Sequence, residues 1–322
     1  MKLATKTTVK TLGEYAYQAI QKHFNKTLKY EKTVKKDEDP EALHQMRVGM
    51  RRLRTAVSRF DVVLNLPKPA SDKNIGKLAR RLGSLRDLDV LKENLEQLYQ
   101  PKLPHKEQKS LHKAFQALAK QREAALADVL NTLKDEPYKS FKQTLEEWLK
   151  QPHYQSLAAL SIQQVLPDLL LPEVSIFFLH PGWLVGTQVA ESEVKIRIDW
   201  QAEKIEQHLT NKGETIHDLR KQAKRLRYQM ELFTDLYPES SATYIADIKS
   251  IQDILGSIQD SVVMSEWLTD VFKSEFNTHL PTLANLLAEN RYQLWQQWQP
   301  LQEKYLMVEN RHNFRLAILQ SV

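Results

Sequence analysis

Along most of the chain, apolar residues recur at steps of three and four, the period of a helix with one buried face. The pattern predicts helices over about 8–34, 41–65, 72–99, 105–133 and 138–150. Breaks fall at the acidic run Asp37–Pro40, at Pro67 and Pro69, at Pro101 and Pro104, and at Pro137. Between Pro167 and Gly186 the period fails. Three prolines, two glycines and the apolar run Val174 to Leu179 predict an irregular, partly buried linker there. Helical periodicity returns over about 188–210, 214–236, 241–274 and 282–319, with the last expected to break at Pro300. The expected fold class is all-α: a first half over 1–166, the linker over 167–186 and a second half over 187–322.

Two stretches repeat. His44 to Arg54 (HQMRVGMRRLR) recurs as His217 to Arg227 (HDLRKQAKRLR), and Leu82 to Val90 (LGSLRDLDV) recurs as Leu255 to Val263 (LGSIQDSVV). One offset of 173 residues relates His44 to His217 and Gly83 to Gly256. Two separate motifs that keep one offset imply a tandem duplication of helical halves.

On a helical wheel, Leu43, Met46, Met50, Leu53, Val57, Phe60 and Leu64 fall within an arc of about 100°. Arg47, Arg51 and Arg54 lie beside His44 on the other side, with Arg52 apart from them. In the second copy Ile216, Leu219, Ala223, Leu226, Met230 and Phe233 form the apolar arc. Arg220, Lys224 and Arg227 flank His217, with Lys221 and Arg225 further round. Between Ala42 and Phe60 stand five arginines and no acid. Like charges at these spacings cost a helix about 0.2–0.5 kcal/mol per pair, so their repetition points to an anionic ligand that offsets the repulsion. Cations recurring about every 5–6 Å suit an extended polyanion better than one compact phosphate. Lys73, Lys77, Arg80 and Arg81 extend the basic set. The positions matching Lys73, Lys77 and Arg80 in the second copy hold Ala246, Ser250 and Asp253, so the first half should dominate electrostatically.

Gly83 and Gly256 inside expected helices predict close backbone approach to the histidine-bearing helix. Asp87 and Asp260, four residues later, are placed to orient a histidine or an arginine, whereas Asp89 reads equally well as an ordinary surface acid. Trp267, Trp295 and Trp298 fit core packing better than a partner surface. An arginine-rich surrounding repels cations, so no metal is expected at His44 or His217.

Composition narrows the remaining possibilities. The chain has 322 residues and a formal charge of +6, while the ten cations of the two basic helices exceed that total. The remainder is therefore slightly acidic. No cysteine is present, which excludes disulfides, thiolate metal sites and cysteine nucleophiles. The most apolar stretch, Leu166 to Trp183, is interrupted by Asp168, Glu173 and three prolines. No membrane span is expected, and Met1 to Lys10 has no signal-peptide pattern. A cytoplasmic location is the simplest expectation.

The paired motifs resemble those of the conserved histidine α-helical domain, or CHAD, family. Its pattern is a His-x-x-Arg-x-x-x-(Arg/Lys)-Arg-x-Arg helix in each half, followed by Leu-Gly-x-x-x-Asp. His44 to Arg54 with Leu82 to Asp87 match the first half, and His217 to Arg227 with Leu255 to Asp260 match the second. The resemblance implies two four-helix bundles about a pseudo-twofold axis, with a basic channel between them. It also implies binding of inorganic polyphosphate without known catalysis, with no cofactor expected; attachment to polyphosphate granules, scaffolding of another protein and storage control all stay open as its role. By position, His44, Arg47, Arg51, Arg52, Arg54, His217, Arg220, Lys224, Arg225 and Arg227 inherit the anion-binding role. Arg86 is left out because Gln259 stands at its counterpart. Such domains are often fused to triphosphate tunnel enzymes with a Glu-x-Glu-x-Lys signature. Glu191, Glu193 and Lys195 match it, but within a helical context that leaves no room for an eight-stranded tunnel.

Two other functions are weighed. A nucleic-acid binder would share the phosphate contacts, but only Tyr228 offers an aromatic ring near the basic face. A phosphoryl-transfer enzyme acting through His44 or His217 would need a phosphate loop or clustered carboxylates for Mg²⁺, and neither is visible.

Overall fold

The computed structural model describes residues 10–320 except 192, 238–240 and 274. The expected start of the first helix at residue 8, and all of the Met1 to Lys10 segment except Lys10, lie outside the described residues. The chain is all-α apart from one small hairpin. The first helices are α1 (Leu12–Lys29), the single turn α2 (Glu31–Val34), α3 (Pro40–Arg59), α4 (Asp72–Arg81), α5 (Gly83–Asn94), α6 (His105–Thr132), α7 (Glu136–Lys150) and α8 (Ile162–Phe178). Strands β1 (Thr187–Ala190) and β2 (Glu193–Ile196) pair antiparallel, with Thr187 opposite Ile196. Then come α9 (Ala202–Glu231), α10 (Ala242–Val271), the short α11 (Phe276–His279), α12 (Pro281–Leu306) and α13 (Val308–Leu319).

Local chemistry sets the helix starts. Thr11 and Glu14 form a reciprocal capping box on α1. Asp39 accepts from the Glu41 amide at 2.8 Å, and Pro40 takes the first position of α3, where its missing N–H costs nothing. The apolar arcs found in the sequence are the buried ones: Met46, Met50 and Leu53 on α3, and Leu219, Ala223 and Leu226 on α9, are fully buried. At Gly49 a Cβ would stand 2.9 Å from the Thr27 amide nitrogen, so glycine is what lets α3 lie against α1.

Several boundaries differ from expectation. The stretch expected as a linker from Pro167 is helical through Phe178. Leu166, Leu170, Val174 and Phe177 of α8 are fully buried, and that burial outweighs the backbone bond lost at each proline. Pro172 is exposed and Pro167 half-buried, which keeps the interruptions toward water. Ile162 to Leu184 is apolar and long enough to cross a membrane by composition, and 44% of its most apolar window is buried within the fold. Residues 187–196, expected as helix, form the hairpin instead. Glu191 occupies its turn at φ 51°, so the Glu-x-Glu-x-Lys match lies on an exposed hairpin. Helix α9 runs unbroken through Gly213, α12 continues past Pro300 and stops at Met307, and the expected 72–99 helix divides at Leu82.

The N-terminal and C-terminal halves of the chain meet in two places. At one, Phe60 after α3 and Phe233 after α9 pack edge to face at 5.7 Å, with Tyr15 stacked on Phe233 at 5.6 Å. At the other, Leu95, Leu111 and Leu118 join Met264, Leu268, Leu283 and Leu287 in a separate apolar cluster. There the buried Glu107 of α6 accepts from the Thr282 and Leu283 amides at 3.0 and 3.2 Å, capping α12 from the other half. Trp295 and Trp298 lie in the core, and Trp267 packs at the second junction.

His23 on α1 is 6% exposed, and its Nδ1 has no hydrogen-bond partner. Burial, then Arg52, Lys22 and Lys26, push its pKa down to about 4. In the unfolded chain the imidazole titrates near about 6.5, so the folded state favours the neutral ring. Its contribution is complete above that value and is lost as pH falls toward 4, a change of about 3 kcal/mol. Chemical denaturation at pH 7 and pH 4 should therefore move the stability gap between wild type and His23→Gln by that amount in the variant's favour. An unchanged gap would show that His23 stays out of the titration.

Candidate functional site

Helices α3 and α9 meet by their C-terminal halves. Arg51 Nη1 donates to the Tyr228 hydroxyl at 2.7 Å, Arg52 pairs with Glu231 at 3.0 Å, and Arg59 donates to Gln229 Oε1 at 3.0 Å. From this junction the helices run back to His44 and His217. Each histidine lies seven residues, or about 10 Å, before Arg51 and Lys224 respectively. The apolar stripes face the core, and on the opposite arcs Arg47 and Arg51 of α3 lie within electrostatic reach of Lys224 on α9.

Arg47 Nη1 donates to the Gly83 carbonyl at 2.5 Å and to Asp87 at 3.1 Å, which fixes its guanidinium against α5. In the second half, Arg220 lies 4.0 Å from Asp260 on α10. The glycines serve these arginines. A Cβ at Gly83 would stand 3.5 Å from Arg47, and one at Gly256 only 3.0 Å from Arg220 Nε. The expected close approach is thus made by a guanidinium, not by helix backbone. Gly76 does the same for Arg54, whose Cζ would be 2.9 Å from an added Cβ.

Lys224 is half-buried, and burial together with Arg51, Arg220 and Arg47 pushes its amine down to about 7, with Asp87 opposing. Four cations from two helices therefore face one another. His44 is held below the ordinary histidine value first by burial and then by Arg86, Arg51 and Arg47, against Glu41. His217 is lowered first by burial, then by Lys221, Arg220 and Lys224, against Asp218. His217 Nδ1 is buried without a hydrogen-bond partner.

The CHAD-domain family model matches residues 18–269. The chain belongs to the CHAD family. Its fold is shared with the crystal structure of the CHAD domain from the plant Ricinus communis, at a TM-score of 0.60 and 22% identity, covering 100% of this chain and 96% of that one. PptA from Streptomyces chartreusis matches at a TM-score of 0.65 and 12% identity, over 91% of this chain and 100% of that one. No curated protein matches the chain.

Of the expected basic residues of this CHAD chain, Arg47, Arg51, Arg220 and Lys224 come together, with His44 beside the first two and His217 beside the last two. The others are held elsewhere by acids or lie exposed. Arg52 is tied to Glu231 beside a pocket of about 330 Å³ lined by His23, Tyr228 and Asp235. Arg225 donates to the buried Glu173 at 2.8 Å, on the α8 side of α9. Arg54 grips Asp72 with two bonds of 2.8 and 3.1 Å. Arg227 lies 3.2 Å from Glu231 and over the Tyr228 ring, and Lys221 pairs with Asp218. Lys73, Lys77 and Arg80 are exposed on α4, and Arg81 reaches Asp135 at 3.6 Å. None of these four is among the principal charges acting on His44 or Lys224. Asp89 is a structural acid, held by Arg122 at 2.8 Å.

Arg86, which comparison with Gln259 left out of the expected set, is one of the charges acting on both His44 and Arg47. Its signal was its place one residue before Asp87, on the same turn as the Arg47 contact.

The glycine contacts generate a test. Gly256→Ala should displace Arg220 and lower stability by about 1 kcal/mol or more, while Gly83→Ala, with room for a methyl group, should leave stability unchanged or slightly raised. Chemical denaturation reads both, and equal stabilities for the two variants would refute the role assigned to Gly256.

Proposed function

We propose that this CHAD protein binds inorganic polyphosphate in the basic cleft between α3 and α9. The observation that carries the reading is the convergence of Arg47, Arg51, Arg220 and Lys224 from opposite halves, with the Lys224 amine making no ion pair among the described residues. Arginine forks grip phosphoryl oxygens through paired N–H groups, and a lysine supplies a mobile point charge. His44 and His217 are neutral at pH 7, so each donates one N–H to the chain. A bound polyanion raises their pKa values and draws protons in. Affinity then increases as pH falls through the raised values, the sign opposite to that of a carboxylate site.

The cleft also supports polyphosphate over nucleic acid. The one aromatic ring beside it, Tyr228, is already engaged by Arg227 at 4.8 Å and Arg51 at 5.6 Å, so no free face is offered to a base. The reading is of binding without turnover, by which the protein would associate with polyphosphate granules. Release of orthophosphate over time would overturn that part of it.

Substitution separates cleft residues from the paired ones. Arg47→Ala, Arg51→Ala and Arg220→Ala should each weaken polyphosphate binding roughly 10–100-fold, the loss of a charge-assisted contact, and lower its salt dependence. Arg52→Ala and Arg225→Ala should leave affinity within about threefold and cost about 1–3 kcal/mol of stability through Glu231 and Glu173. Calorimetry and denaturation read the two effects. Wild-type affinity in all three cleft variants would remove the cleft from consideration, and DNA that resists displacement by polyphosphate at equal phosphate concentration would favour the nucleic-acid reading.

A further inference from the structure

Lys224 stands at the position in the second basic helix that Arg51 holds in the first, 173 residues earlier. Arg51 is anchored by the Tyr228 hydroxyl. Lys224 makes no hydrogen bond or ion pair among the described residues. The groups that face it come from every wall of the cleft. On α3 these are Arg47 and Arg51, and on its own helix Arg220 and the His217 ring. From α5 comes Asp87, which already accepts from Arg47, and from α10 comes Asp260, beside Arg220. Both carboxylates within electrostatic reach are therefore turned to guanidiniums, and the amine is left with a net cationic surrounding.

We propose, resting on the polyphosphate reading, that Lys224 makes the cleft select ligands by charge density, because its amine becomes fully protonated only as closely spaced anionic groups arrive. The Nζ lone pair accepts a proton from the buffer acid, an N–H bond forms, and the conjugate base remains in solution. A pKa near 7 in the free protein leaves the amine mostly neutral in mildly alkaline solution, so there is a proton to gain. Adjacent phosphoryl units of polyphosphate share a bridging oxygen and place several charges around one amine. The phosphodiesters of a nucleic-acid strand are separated by a sugar, and fewer reach the same point. Arginine at this position would be charged at all times and would reward both ligands alike. A lysine here thus sets a threshold that a sparse anion does not cross.

The test is titration calorimetry of the full chain at pH 8, in buffers of different ionisation enthalpy, with inorganic polyphosphate and with single-stranded DNA of equal phosphate number. Wild type should take up close to one more proton per bound polyphosphate than Lys224→Arg, a variant that keeps the charge and leaves any histidine contribution in place. Lys224→Arg should also narrow the ratio of polyphosphate to DNA affinity several-fold. Lys224→Met, which has no proton to gain, should match the arginine variant in proton uptake while binding polyphosphate more weakly, and it decides the question if the arginine variant fails to fold. Equal proton uptake by wild type and both variants, with polyphosphate still bound, would overturn the role of Lys224 and leave the cleft reading intact. Failure of wild type to bind polyphosphate would overturn the reading itself.

Discussion

Repulsion between like charges is the constraint on which the cleft depends. Two unit charges about 6 Å apart at an effective dielectric of about 20 repel by about 3 kcal/mol, and here two helices bring their basic faces together. The apolar stripes hold them there. Each stripe is locked into the core on the far side of its helix, and Phe60, Phe233 and Tyr15 clamp the point where the helices meet. Rotating either helix to relieve the cations would bring leucines and methionines into water, at about 1.5–3 kcal/mol for each side chain exposed.

The repulsion is relieved in different ways at different residues. Arg47 is matched by Asp87 and by the Gly83 carbonyl, and Arg51 shares its charge with the Tyr228 hydroxyl and ring. Arginine cannot shed its proton and must be paired or solvated, whereas lysine can, and Lys224 does so in part. The cations that sequence alone would group with them are neutralised by acids drawn from remote places: Asp72 for Arg54, Glu231 for Arg52, Glu173 for Arg225. Pairing makes those residues supports of the junction. Arg59 and Arg225 converge on Glu173, whose 5% side-chain exposure leaves it dependent on both.

This division explains what the sequence could show. The buried arcs, the starts of α3, α6 and α7, and the 173-residue recurrence of His44, Arg47 and Gly83 follow from local period and spacing, and the structure uses them as such. The acid that neutralises a given arginine does not follow, because it stands 18 residues away for Arg54 and 179 for Arg52. The same holds for α8, where Pro167 and Pro172 signal a break that tertiary burial overrides. It holds too for α9, where Gly213, with nothing within 4 Å of an added Cβ, is carried by the helix around it without a packing role.

Recurrence of position is not recurrence of charge. Arg86, paired with Glu93 at 3.9 Å, acts on His44, but its counterpart is Gln259; beside His217 stands Lys221, paired with Asp218. Arg47 lies within bonding distance of its aspartate at 3.1 Å, whereas Arg220 stands 4.0 Å from Asp260 and has a buried Nε without a partner. Arg47 is thus the more fixed of the two arginines and Arg220 the looser. On the polyphosphate reading proposed above, a chain laid across both would meet a fixed guanidinium on α3 and a looser one, beside Lys224, on α9.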